Sequence, residues 1–225
     1  MNLLRRHFFY TKNSIKTTWK LRVAMLVVVI LTGALTRGFW VSQIGRSLVC
    51  AEDLSPSHVI LVENFDPNYL LYERAAELEK AGIAPKTLVP VEASSDPKVA
   101  NPVSLGVAEV MARQARLKDW EIILIREIEP ISLNAAVQIR DRFTRDHIKS
   151  LVVVTSGFRS RRSSLVYRSV LDDGTQVHCD PVFGQTTPER WAETWHGIQQ
   201  VAEEFLKLQY YRFYVLPFIS RSNRR

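Results

Sequence analysis

The residues of this chain best equipped for chemistry stand together in Ser156-Gly157-Phe158-Arg159-Ser160-Arg161-Arg162-Ser163-Ser164, directly after the apolar run LVVVT at 151–155. Such a run ending in Ser-Gly reads as a strand feeding a helix. A helix start offers unpaired backbone N–H groups and a partial positive charge. Gly157 would let that backbone approach a ligand closely, and arginine supplies paired donors that match a phosphate or a carboxylate. The chemistry expected of the 155–162 turn is capture of an anion, by Thr155, Ser156, Gly157, Arg159 and Arg162. The plainer alternative is a wet helix start whose arginines face water or pair with Glu127 or Glu129.

In open α/β sheets the ligand crevice lies beyond the carboxyl ends of the strands. Residues just after the other apolar runs therefore join the candidates: Glu63, Asn64 and Asp66 after 58–62, and Glu127, Glu129, Ser132 and Asn134 after 121–125. Other chemistries find less. The histidines show no metal-ligand spacing, and His178-Cys179-Asp180 would point to alternate faces of a strand, so no metal site is expected. No Gly-x-Ser-x-Gly elbow supports a serine hydrolase. Cys50 and Cys179 form either one disulfide or two separate thiols. The sequence leaves the identity of any cofactor unknown.

The elements that must position these residues alternate. Candidate strands at 58–62, 87–91, 121–125, 151–155 and 176–179 are separated by helical patterns, as a mostly parallel sheet covered by helices requires. Pro90 predicts an edge strand or a strand end. Asp66-Pro67 predicts one helix start and Gly82 its stop; Asn101-Pro102 opens a second helix with Val103, Val107 and Val110 on one face. Ser132 caps a third, and Thr187-Pro188 a last one striped by Trp191, Trp195, Ile198, Ala202 and Phe205. The expectation is a Rossmann-like α/β three-layer sandwich over 57–208, with an aromatic and basic tail at 209–225 that either docks on the domain or lies on a membrane surface.

The 225 residues carry a formal charge of +7, but residues 1–22 hold +6 and 212–225 hold +4, which leaves −3 for the middle. A nucleic-acid binder needs its positive charge on the folded domain, so no nucleic-acid partner is expected. The basic start leads into an uncharged run at 23–35. Thirteen helical residues rise only about 20 Å against a hydrocarbon core of about 30 Å, so spanning needs the flanks up to Trp40 and Val41. We expect a basic cytoplasmic tail at 1–22, one transmembrane helix at 23–41 and a linker at 42–56. The rival is a cleaved signal peptide, for which no good cleavage site is found. The positive-inside rule then leaves the N-terminus in the cytoplasm and the α/β domain outside, on the inner (cytoplasmic) membrane.

Two segments carry a resemblance. Glu129-Pro-Ile-Ser-Leu-Asn134-Ala135 resembles an acid followed by a Thr-x-x-Asn-Ala helix start, and Thr155-Ser156-Gly-Phe158-Arg159-Ser-Arg-Arg162 resembles a Thr-Ser-x-Phe-His-x-x-Arg turn. Both are motifs of the YdcF/SanA/ElyC-type domain of unknown function, and the likeness covers about residues 57–205. It implies a Rossmann-like sheet, an envelope location and links to cell-envelope biogenesis. The family histidine is replaced by Arg159, and the family threonine falls at Ile131 beside Ser132. Three readings follow. One is a membrane-anchored domain binding an anionic, phosphorylated or nucleotide-like small molecule, with Asn134, Glu129 and Glu63 lining the same crevice as the turn. Another is a non-catalytic module of an envelope protein complex. The third is an enzyme on phosphorylated lipid carriers, with Glu63, Asp66 or Glu129 as base.

Overall fold

The structure is a computed structural model and describes residues 18–65, 68–172 and 174–217. The Asp66-Pro67 cap, Asp173, most of the 1–22 tail and residues 218–225 lie outside the described residues. The chain divides into two compact units, Met1–Trp40 and Val41–Arg225.

In the first unit, helix α1 (Trp19–Leu35) buries none of its residues. The expected continuous helix through 41 is broken at Thr36, and α2 (Arg37–Ser47) follows. Thr32 and Thr36 donate their hydroxyls to the carbonyls of Val28 (2.8 Å) and Thr32 (2.7 Å), a back-bonding that bends helices, and Gly33 and Gly38 weaken the same stretch. Among the described residues no single helix is long and apolar enough to cross a membrane; α1 and α2 pass that test only together, as a bent pair.

The second unit is built on five parallel strands, β1 (Val59–Val62), β2 (Thr87–Glu92), β3 (Trp120–Ile125), β4 (Ser150–Ser156) and β5 (Gln176–Val182), ordered β3-β2-β1-β4-β5. All four residues of β1 are buried because alternate side chains serve two cores. Val59 and Leu61 meet Ile139 of α5 (Ile131–Arg145) and Val166 of α6 (Ser160–Val170) on one face. Ile60 and Val62 meet Leu71 of α3 (Tyr69–Lys80) and Ala108 of α4 (Pro102–Ala115) on the other. The result is the expected α/β layering, with helices on both faces of a parallel sheet.

Local signals account for several boundaries. Asn101 caps α4 through the N–H groups of Val103 and Ser104 with Pro102 in the first turn, and Gly82 takes φ +73° just past α3. Asn68 caps α3 by accepting from the Leu70 N–H at 3.0 Å. Other expectations change. Pro90 lies in an internal strand, but past the last pairing of β2 with β1, which ends at Leu61 and Leu88. Its carbonyl accepts from the Asn64 side chain on that side, so the donor that proline lacks is not needed by the ladder. On α4 the valine stripe is outward, with Val103 and Val110 exposed; the small Ala108 and Ala112 face the sheet and let the helix come close.

The stretch 42–56 is not a free linker. Gly45 lies so close to the Pro188 backbone that a Cβ would collide with it, Leu48 is fully buried, and the Trp191 indole donates to the Val41 carbonyl at 2.8 Å. Cys50 is disulfide-bonded to Cys179 of β5, closing a sequence separation of 129 residues. A crosslink over so long a loop restricts the unfolded chain strongly. Removing it by the paired Cys50→Ala, Cys179→Ala substitution should cost about 2–5 kcal/mol in urea unfolding, and a change within experimental error would show that 45–50 is held by packing alone.

Candidate functional site

The strand order reverses between β1 and β4, whose carboxyl ends are where a doubly wound sheet leaves room for a ligand. Here the protein fills that room itself. Glu63, the first residue after β1, is 2% exposed. Its carboxyl group accepts from the Thr155 hydroxyl at 2.5 Å and from the Ser163 hydroxyl at 2.6 Å. The buried Tyr167 hydroxyl lies within reach of the same carboxyl group but makes no well-formed hydrogen bond. Burial, reinforced by Glu63 and only partly offset by the charges of Arg159 and Arg162, pushes the Tyr167 phenol well above its ordinary value.

After β4 the chain makes one 3-10 turn, Gly157–Arg159, and enters α6. Several of the features that favoured an outside anion have an internal partner. A side chain at Gly157 would strike the Phe183 ring, so the open approach is used by Phe183. The Arg161 N–H, one of the donors at the helix start, is taken by the Leu48 carbonyl at 3.1 Å, while the Arg161 side chain is exposed.

Arg162 is 4% exposed and holds Glu204 through Nε (3.0 Å) and Nη2 (2.9 and 3.1 Å), while its Nη1 donates to Ser132 Oγ at 2.6 Å. Arg159 Nε lies 3.6 Å from the same carboxylate without a well-formed hydrogen bond. The anion that meets these two arginines within the chain is the carboxylate of Glu204.

Glu204 reaches it from α7 (Trp195–Tyr210), which Thr194 caps through the Gly197 N–H. The expected start at Thr187 is instead a loop ending in the short turn Trp191–Glu193. The buried stripe of α7 is Gly197, Val201, Glu204 and Leu208, and not the Trp195-Ile198-Phe205 stripe expected from apolar spacing. Beyond α7 the π-helical segment Tyr211–Val215 puts the Tyr211 ring 5.5 Å from the Arg162 guanidinium, a cation–π contact that completes the cover. Tyr211 and Val215 belong to the main core, so this part of the 209–225 tail is docked on the domain.

Two other site residues stand apart from this cluster. Asn134 donates to the carbonyls of Ile128 (3.0 Å) and Pro130 (3.4 Å), pinning its own loop, and Glu129 is exposed. Ser132 does not cap α5, whose N-cap is Pro130, because its hydroxyl is engaged by Arg162. Thus Glu63, Thr155 and Ser163 converge, Arg159 and Arg162 converge on Glu204, and Asn134 and Glu129 join neither group. Sequence reasoning missed Glu204 and Tyr167, and it included Ser163 in the turn without its partner Glu63. The available signals were the need of two inward arginines for an acid, and the i, i+4 spacing of Ser163 and Tyr167 on the helix that follows the turn.

Two clefts open at this edge of the sheet, each of about 160 Å³. One is bordered by Asn64, Pro90, Glu92 and Glu127, the other by Ser156, Gly157, Phe183 and Gln185; Arg159 and Arg162 line neither. Both are smaller than the ~300 Å³ at which small-molecule sites begin. Cys50, Glu52 and Cys179 cluster tightly enough for a metal, but the two sulfurs are bonded to each other.

No family model matches the chain, and no curated protein matches it. A solved structure of a universal stress protein in complex with cAMP matches at TM-score 0.37 and 18% identity, over 56% of this chain and 98% of that one. A likeness this distant bears on neither ligand nor function.

Breaking the buried pair by Glu204→Ala or Arg162→Ala should cost about 3–5 kcal/mol, because the remaining charge is left buried and unpaired, while the double change Arg162→Met with Glu204→Leu should recover much of it. Single losses below about 1 kcal/mol in chemical denaturation, the size typical of surface pairs, would remove the pair from its central role.

The alkaline side offers a second check. An unfolded tyrosine ionises near about pH 10, while folded Tyr167 keeps its proton to higher pH. The stabilisation is therefore complete below about pH 10 and is lost as pH rises beyond it. Tyr167→Phe should flatten that decline; an unchanged slope would contradict the assignment.

Proposed function

We propose that this chain is a membrane-tethered, extracytoplasmic α/β module of the YdcF/SanA/ElyC type that serves in the cell envelope by docking rather than by catalysis. The observation that carries this reading is Glu204 seated on Arg162, with Arg159 beside it: the arginine turn at the end of β4 already holds a carboxylate from its own chain. A general base must come within hydrogen-bond reach of a substrate proton, and Glu63, enclosed by Thr155 and Ser163, has no such access. The tether reading is supported by the basic, apolar start of the sequence and by α1, which buries none of its apolar residues. The outward location is supported by the Cys50–Cys179 disulfide, since such bonds persist in oxidising compartments.

The second reading, an anionic or phosphorylated small molecule at the 155–162 turn, is favoured by one detail. Two guanidinium groups share one carboxylate, and the buried Arg159 Nε lacks a hydrogen-bond partner. Under that reading Glu204 must leave before the ligand binds.

Thermal unfolding with inorganic phosphate and pyrophosphate separates the two. Docking without a small ligand predicts no saturable shift in the wild type, and a shift only after Glu204→Ala empties the arginine pair. A ligand at about 100 times its Kd would add about 2.7 kcal/mol, so a saturable wild-type shift that disappears in Arg162→Ala would overturn the docking reading in favour of the anion site.

A further inference from the structure

Helix α7 is apolar on two sides. Val201 and Leu208 face the domain, yet Trp195 is 72% exposed, Leu206 68% and Phe213 71%, with Ile198 and Phe205 between them also exposed. At 100° per residue, positions 195, 198, 205 and 206 fall on one side of the helix, and Phe213 continues that side beyond it. Elsewhere in the second unit the outward valines of α4, Val103 and Val110, make a smaller pair, while Val99 and Ile128 stand singly. Scattered apolar residues need no explanation, whereas a continuous stripe marks a surface that is covered in use.

The stripe is rigidly presented. Glu204 in the arginine turn, with Tyr211 and Val215 in the core, pins α7 and the segment after it over 21 residues, about 30 Å of helix. The charge around it has one sign toward its end. From 206 to 225 the sequence holds Arg212, Arg221, Arg224 and Arg225 and no acid, together with Lys207, whose ammonium also pairs with Glu203 one turn back. Trp, Tyr and Phe beside Lys and Arg form the composition favoured where a helix lies in the headgroup layer of an anionic bilayer. A protein partner would have to supply matching acids at chosen points; anionic phospholipid supplies negative charge everywhere along the helix.

We propose that the outward face of α7, continued by Phe213, seats on the surface of a bilayer containing anionic phospholipid. This rests on the reading of the chain as membrane-tethered and adds a second, peripheral contact at the other end of the sequence. Anchor and stripe would act together, because tethering raises the effective concentration of the stripe at the lipid surface.

The test uses the full chain reconstituted in liposomes with and without anionic phospholipid. With both native cysteines in the disulfide, a thiol-reactive fluorophore can be placed at Phe205→Cys, or at Glu109→Cys on α4, which packs on the opposite face of the sheet. Lipids carrying a doxyl quencher near the headgroup should quench the label at 205 several-fold more than the label at 109. The difference should shrink in zwitterionic liposomes and after Lys207→Glu with Arg212→Glu.

Equal, weak quenching at both positions in protein that floats with the liposomes and resists carbonate extraction overturns the surface contact and leaves the tether standing. Selective quenching at 205 in protein that carbonate strips off supports the contact and overturns the tether. Protein that does not float overturns both, and a lipid-independent shift of the 205 label that tracks dimer formation assigns the stripe to a second copy and overturns the proposal.

Discussion

A guanidinium removed from water must be met by an acid, and in this chain the acid comes from 42 residues further along the sequence. Much of the arrangement of the second unit follows from that requirement. Arg162 sits in the first turn of α6, where it opposes the helix dipole, so its burial is tolerable only with a full carboxylate against it. Glu204 can reach it only if α7 lies across the turn, and once there the helix brings Tyr211 and Val215 into the core. From the other side, 45–50 closes on the same turn through the Leu48 carbonyl and the Cys50 N–H, which donates to Ser160. The turn is thus enclosed by segments from both ends of the domain.

Beside it, Glu63 with Thr155 and Ser163 forms a second buried polar group, so that two acids stand with two arginines in this region. That balance explains how so much polarity can be packed at the end of β4. Buried polar networks are stable when each member is satisfied, and they specify one arrangement because a displaced member leaves its partner exposed to the full desolvation penalty. Here Glu63, Thr155, Ser163, Arg162 and Glu204 are engaged with one another or with Ser132, while Arg159 Nε and the Tyr167 hydroxyl are buried without a hydrogen bond. At this edge of the sheet, groups of the kind that catalysis employs are used as structure.

The strands were legible because a strand buried on both faces has no periodicity to misread; 58–62 and 151–155 are continuous apolar runs whose boundaries fall where β-branched residues stop. Asn101-Pro102 and Gly82 were legible because a cap and a left-handed residue are local chemistry. Helix orientation was not. On α4 the larger valines point outward and alanines inward, and on α7 an inward glutamate interrupts the buried face while tryptophan and phenylalanine lie outside. Apolar spacing finds the stripe with the largest side chains, but the face that packs is decided by what it meets: a close sheet prefers alanine, and a buried arginine selects glutamate. For the same reason local spacing gave the arginines of the turn but not Glu204, the carboxylate from 42 residues further along that meets Arg162.

The distribution of charge and apolar surface extends this argument from packing to placement. Both ends of the chain join basic residues to apolar or aromatic ones, at 1–35 and at 206–225, whereas the region between the two basic tails, 23–211, carries a net −3. Under the proposed lipid contact, Lys207 and Arg212 beside the α7 stripe would be drawn to anionic headgroups within the reach of screened charge, about 10 Å at 0.1 M salt. The buried Glu204 belongs to this division. It fixes α7 so that one apolar side completes the core and the other is held outward, and a helix secured only by apolar contacts would have no comparable reason to bury its smaller stripe and expose its larger one.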